Sequence, residues 1–205
     1  MKRVIMVTAI ILLPFVAASQ ENKIWTEEDR NYLAENLVRT REELMKETEG
    51  LSDQQWKFKE APDRWSINEV VEHIHIWEML LMYDVTRSLS AGIQPTLLTT
   101  AKHDDVILGF ITEETPHHSL EYTKPFNYTI PMGINDLKNN VALFLKLRDQ
   151  SIQYIKTSKE DLRLYARTHD KSTSIHQLYI VVFGHTDRHL RQIRKIKKHI
   201  NYPHS

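Results

Sequence analysis

The 205-residue chain contains no cysteine. No disulfide can staple it, and no thiolate can ligate a metal or act as a nucleophile, so a metal site would have to use His, Asp or Glu. Glycine and proline are scarce, at five and seven residues. That favours helices over a turn-rich β fold. Neither sign of charge dominates, with 27 Lys and Arg against 27 Asp and Glu. Without a basic surplus there is no electrostatic footprint for a nucleic-acid backbone, and no nucleic-acid partner is expected. After Val16 no stretch is long and apolar enough for a transmembrane helix.

The first nineteen residues read as a secretory signal peptide. Lys2 and Arg3 form a basic start, 4–16 is an almost unbroken apolar run, and Ala17, Ala18 and Ser19 are small. The run falls short of the roughly 20 residues that span a bilayer. Cleavage before Ser19 or Gln20 would export the remainder to a periplasmic or extracellular location, with no stable membrane insertion afterwards. Residues 20–205 then make one domain, which can bury a substantial core without staples. The leader holds two of the basic residues and no acidic one, so that domain carries a formal net charge of −2.

Four segments carry helical periodicity, and an all-α four-helix bundle is expected. The first covers 25–49, with Thr26 and Asp29 as a capping box and Leu33, Leu37 and Leu44 on one face. The second covers 66–91. Ser66 and Glu69 form its capping box, Ile67, Val70, Val71, Ile74, Trp77, Leu81 and Val85 its stripe, and Gly92 its stop. The third covers 134–157, with Leu137, Val141, Leu145, Ile152 and Ile155 facing inward. The fourth covers 174–200, capped by Ser174 and Gln177, with Thr186 and His189 on its apolar face. Gly184 inside it marks close packing or room for a ligand. Between the second and third helices, 92–133 contains four prolines and one short helix or strand at 106–111. A link of that length suits a crossover between neighbouring helices that run parallel.

His185 and His189 are the only histidines three or four residues apart. At that spacing two imidazoles share one helix face and can reach one ion. A single inward histidine is ordinarily a core residue satisfied by one hydrogen bond. His73, however, shares the phase of Val70 and Trp77 in the second helix. Two helices thus aim imidazoles at the bundle interior, where such folds build metal sites. His103, His117 and His118 fall in the crossover, His75 lies on a different face from His73, and His199 and His204 belong to a polar tail.

Trp65-Ser66-Ile67-Asn68-Glu69-Val70-Val71-Glu72-His73 resembles the Trp-Ser-x-x-Glu-x-x-x-His opening of the second helix in the DinB-like (YfiT-like) superfamily. His185-Thr186-Asp187-Arg188-His189 resembles the His-x-x-x-His of that family's last helix. The resemblance implies a four-helix bundle holding one divalent ion, zinc or nickel, on His73, His185 and His189. It implies a small-molecule substrate, with relatives that are thiol-dependent transferases, a thiol-dependent isomerase and proteins assigned as metal hydrolases. It is also compatible with a homodimer.

Three neutral imidazoles would leave an ion dicationic with open positions, which suits catalysis better than structure. Bound water could then be acidified towards neutrality, or an incoming thiol could lose its proton. Export disfavours the thiol route, because the family's thiol cosubstrates are chiefly cytoplasmic. A metal-dependent hydrolase or transferase is therefore expected. The alternatives are a non-catalytic metal-binding or stress-response module, and a structural helical protein with core histidines. No general base is evident: Glu72 and Asp187 each adjoin a histidine, but one residue along a helix turns about 100° away. The basic row Arg188, Arg191, Arg194, Lys195, Lys197 and Lys198 reads as a solvated outer face complementing the helix dipole. Asn127-Tyr128-Thr129 is a glycosylation sequon, relevant only in a eukaryotic secretory pathway.

Overall fold

A computed structural model describes residues 24–113, 127–167 and 171–204. The expected signal peptide, and His117 and His118, lie outside the described residues. The helices are α1 (Glu27–Thr48), α2 (Asp53–Lys57), α3 (Ile67–Ala91), α4 (Leu97–Thr100), α5 (Asp104–Thr112), α6 (Leu137–Thr157) and α7 (Ile175–Lys197). A 3-10 turn covers Asn127–Thr129. No described helix is long and apolar enough to cross a membrane.

Local chemistry explains the helix ends. Thr26 with Asp29, Ser66 with Glu69, and Ser174 with Gln177 all form reciprocal capping boxes. Gly92 stops α3 in the left-handed region at φ +82°. Two boundaries differ from the sequence expectation by several residues. The third long helix starts at Leu137 rather than near 134, because Asp136 is its N-cap and accepts from the Asn139 amide. The fourth ends at Lys197, short of Ile200. A fourth capping box, Ser52 with Gln55, opens the short α2 that the sequence reading passed over. The stretch 106–111 is helical, as part of α5.

The long helices α1, α3, α6 and α7 form the bundle, and their contacts fix its topology. Asn140 of α6 meets Asn68 of α3, while Arg148 and Ser151 meet Glu78. Both numbers rise together, so α3 and α6 run parallel. Arg39 pairs with Asp187, and Glu47 pairs with Arg194 and Lys197, so α1 and α7 are also parallel. Arg30 reaches the end of α6 while Leu37 and Thr40 meet Arg148, which makes α1 and α6 antiparallel. In chain order the bundle therefore runs up, down, down, up. The crossover between parallel α3 and α6 carries α4 and α5, and α5 packs on α7.

The core has two apolar storeys. One includes Leu33, Leu37, Leu81, Val85, Ile152, Ile155, Leu178 and Phe183. The other includes Leu44, Ile67, Val70, Ile74, Phe144, Leu190 and Ile193. Between them lies a buried polar layer with a residue or more from each long helix. Arg148 donates from Nε and Nη2 to the two carboxylate oxygens of Glu78, at 2.8 Å each. Its remaining donors meet Thr40 Oγ1, the Leu37 carbonyl and Thr186 Oγ1.

Gly184 marks close packing. A Cβ built there would lie 2.4 Å from Ile111 Cγ2 of α5. Gly184→Ala should destabilise the protein by about 1–3 kcal/mol through overpacking, despite alanine's better helix propensity. Thermal unfolding should show most of that loss recovered when Ile111→Ala is added. An unchanged or raised midpoint in the single variant would contradict the contact.

Candidate metal centre

His73 sits two turns into α3, and His185 and His189 lie one turn apart on antiparallel α7. One ligand atom from each falls within 4.8 Å of the other two. His73 and His189 are buried, and His185 keeps part of its surface open to solvent. The ring of Trp65 lies 4.8 Å from that of His73, and the ring of Trp77 lies 5.3 Å from that of His185.

Hydrogen bonds select the form of two of the imidazoles. His73 Nδ1 lies 2.7 Å from the Thr129 carbonyl, which can only accept, so Nδ1 carries the proton and Nε2 keeps its lone pair. His189 Nδ1 likewise donates to Gln192 Oε1 at 2.8 Å. Anchoring the far ring nitrogen on a carbonyl is the usual way a metal-binding histidine is oriented. The facing Nε2 atoms of His185 and His189 are 3.1 Å apart. His189 Nε2 is therefore an acceptor, and His185 Nε2 either donates its proton to it or shares a cation with it. Tetrahedral donors at 2.0–2.1 Å from zinc stand about 3.3 Å apart, so the α7 pair is already at ligand spacing. The donor of His73 would have to approach by about 1.5 Å at most for the same geometry.

Burial keeps the three rings neutral. It pushes His73 down to about 4, partly offset by the Thr129 carbonyl. It pushes His189 down to about 3, with the charge of His73 acting in the same direction. His185 is held well below the ordinary value by burial, then by His189 and His73. Neutral imidazoles are ready to ligate at neutral pH. The same shifts make the metal-free protein acid-sensitive. Unfolded histidines take up protons near pH 6.5, while the folded ones resist until about pH 4 or 3. Stability should be flat above pH 6.5 and fall as pH drops towards 4, by ~3 kcal/mol for His73 alone. Denaturant titrations of chelator-treated protein would show it, and stability independent of pH over this window would contradict the burial.

Neither acidic neighbour is a base for this centre. The Glu72 carboxylate is turned away and accepts the Met132 and Gly133 amides at 3.0 and 2.9 Å. Asp187 is paired with Arg39. Among the described residues no carboxylate joins the cluster. Glu69 is the capping-box acid and also binds Lys59. His75 bonds Asn140, and His103 is the N-cap of α5; neither approaches the cluster. Thr129 of the sequon is fully buried.

The basic row divides rather than lying in solvent as one face. Arg194 and Lys197 pair with Glu43 and Glu47, and Arg191 donates to the Thr112 carbonyl. A groove of about 1000 Å³ opens elsewhere, between the end of α1, α2 and the starts of α3 and α6, and none of the three histidines lines it. Sequence reasoning missed Thr129 and Gln192 as partners of the ligands. Gln192, three residues after His189, was reachable from helical spacing; Thr129, 56 residues from His73, carried no local signal.

Residues 36–193 match the family model described as the DinB superfamily. No curated protein matches the sequence. Among solved structures the chain is similar to YfiT from Bacillus subtilis, at 13% identity and a TM-score of 0.49, over 87% of this chain and 91% of that one. YfiT is described as a probable metal-dependent hydrolase with an unusual four-helix bundle topology.

Proposed function

We propose that this chain, which belongs to the DinB superfamily, is an exported metal-dependent hydrolase of a small-molecule substrate. The observation that carries this reading is the donor set. Three neutral imidazoles converge, His73 and His189 buried and His185 half-buried, two with their tautomer fixed, and no carboxylate among the described residues completes a closed shell. His73, His185 and His189 would hold a zinc or nickel ion. Bound there, a divalent ion supplies Lewis acidity and brings the pKa of a coordinated water close to neutral. The protein's own part is to keep the imidazoles unprotonated and oriented through Thr129 and Gln192, and to wall the centre with Trp65 and Trp77. The partial exposure of His185 leaves an approach from solvent.

The test is a screen of esters, amides and thiol conjugates with the zinc- and nickel-loaded protein, with His185→Ala as control. Turnover of esters or amides without added thiol, abolished in the variant, is the expected result. Turnover only with a thiol present would reassign the reaction to group transfer. Full metal occupancy with no turnover would favour a metal-binding module.

A further inference from the structure

Residues 129–135 lie against the first turns of α3, and three α3 side chains grip them in order. His73 Nδ1 donates to the Thr129 carbonyl. Glu72 accepts from Met132 and Gly133. Asn68 Nδ2 donates to the Asn135 carbonyl at 2.8 Å. Descending the helix thus corresponds to advancing along the segment.

The middle grip is unusual in its chemistry. Glu72 is 4% exposed, and its two carboxylate oxygens each take one of two successive backbone amides. Successive amides that converge on one anion form a nest, a geometry that needs a left-handed residue. Gly133 supplies it, at φ +67°. Glu72 and His73 are adjacent, so their side chains diverge by about 100° around the helix. One takes the segment at 132–133, the other at 129. The segment therefore links the carboxylate to the candidate ligand, although Glu72 does not touch the histidine cluster.

We propose that Glu72 is a positioning residue for the metal centre. By holding Met132 and Gly133 it keeps the Thr129 carbonyl on His73 Nδ1, so metal binding and docking of the 129–135 segment form one coupled equilibrium. The proposal rests on the three-histidine reading above. A cation on Nε2 makes Nδ1–H a better donor, which tightens the bond to Thr129. A docked Thr129 in turn fixes the tautomer and ring angle that leave Nε2 free. Linkage requires the two effects to be equal in size.

The test uses the whole untagged protein and zinc alone as probe. Zinc affinity is measured by competition with a chromophoric chelator, and amide exchange of 129–133 is followed with and without zinc. In the wild type zinc should slow that exchange. Glu72→Gln offers one acceptor where two are needed, and should weaken zinc binding by about 10–100-fold while removing the zinc-dependent protection. A purely structural role for Glu72 would lower the unfolding temperature but leave the affinity of the folded variant unchanged, and that result overturns the proposal. If the variant does not fold, the wild-type exchange decides: protection of 129–133 by zinc is required, and its absence refutes the coupling. A wild type that binds no zinc would remove the metal reading itself, and this proposal with it, before any variant is compared.

Discussion

Replacing Glu78 by alanine is expected to destabilise the protein by about 3–5 kcal/mol, against the 0–1 kcal/mol typical of an exposed ion pair. The reason is the burial of its partner. Arg148 is 0% exposed, and Glu78 supplies its only carboxylate contact among the described residues. The guanidinium also bonds Leu37, Thr40 and Thr186 and lies 4.9 Å from the Phe144 ring. Without Glu78 the cation would remain enclosed between two apolar storeys with neutral partners only. Removing both charges is a different experiment. Glu78→Leu with Arg148→Met leaves no orphaned ion and should lie much closer to the wild type. Urea unfolding of the single and double variants checks this. A single variant within 1 kcal/mol of wild type would mean that the layer does not anchor the bundle.

His73→Ala is expected to abolish stoichiometric metal binding while the helices persist. Loss of an outer hydrogen-bond partner typically costs a metal site about 10–100-fold in affinity, and loss of a ligand should cost more. The remaining pair on α7 can still touch an ion, but its nitrogens come from one helix and leave the α3 side open. Circular dichroism should stay close to wild type, because the α3 stripe of Ile67, Val70, Val71, Ile74 and Leu81 is untouched. Retention of one tightly bound ion per chain in this variant would show that α3 is not part of the centre.

Much of this arrangement was legible in the sequence because it is local. Three capping boxes announce α1, α3 and α7 through residues three apart. The long link between the second and third helices signals parallel neighbours, which the rising register between α3 and α6 bears out. His185 and His189 declare a shared face by their spacing, and His73 by its phase with Val70 and Trp77. What stayed hidden depends on partners distant in the chain. Glu78 and Arg148, 70 residues apart, look like ordinary surface charges until the fold encloses both. His176 lies on the first turn of α7. In the structure it accepts a hydrogen bond from Trp25 Nε1 and meets Asp104 and Arg163, tying the N-terminal stretch and α5 to α7. In the sequence Glu72 is only a neighbour of His73, because nothing in its surroundings predicts a segment from the far end of the crossover.

The most direct test is the metal content of the wild-type protein, purified without a histidine tag and then incubated with zinc or nickel. Convergence of His73, His185 and His189 predicts about one ion per chain, lost in His189→Ala. No bound metal under either condition would contradict the account, and would leave the three histidines as a buried, hydrogen-bonded part of the core.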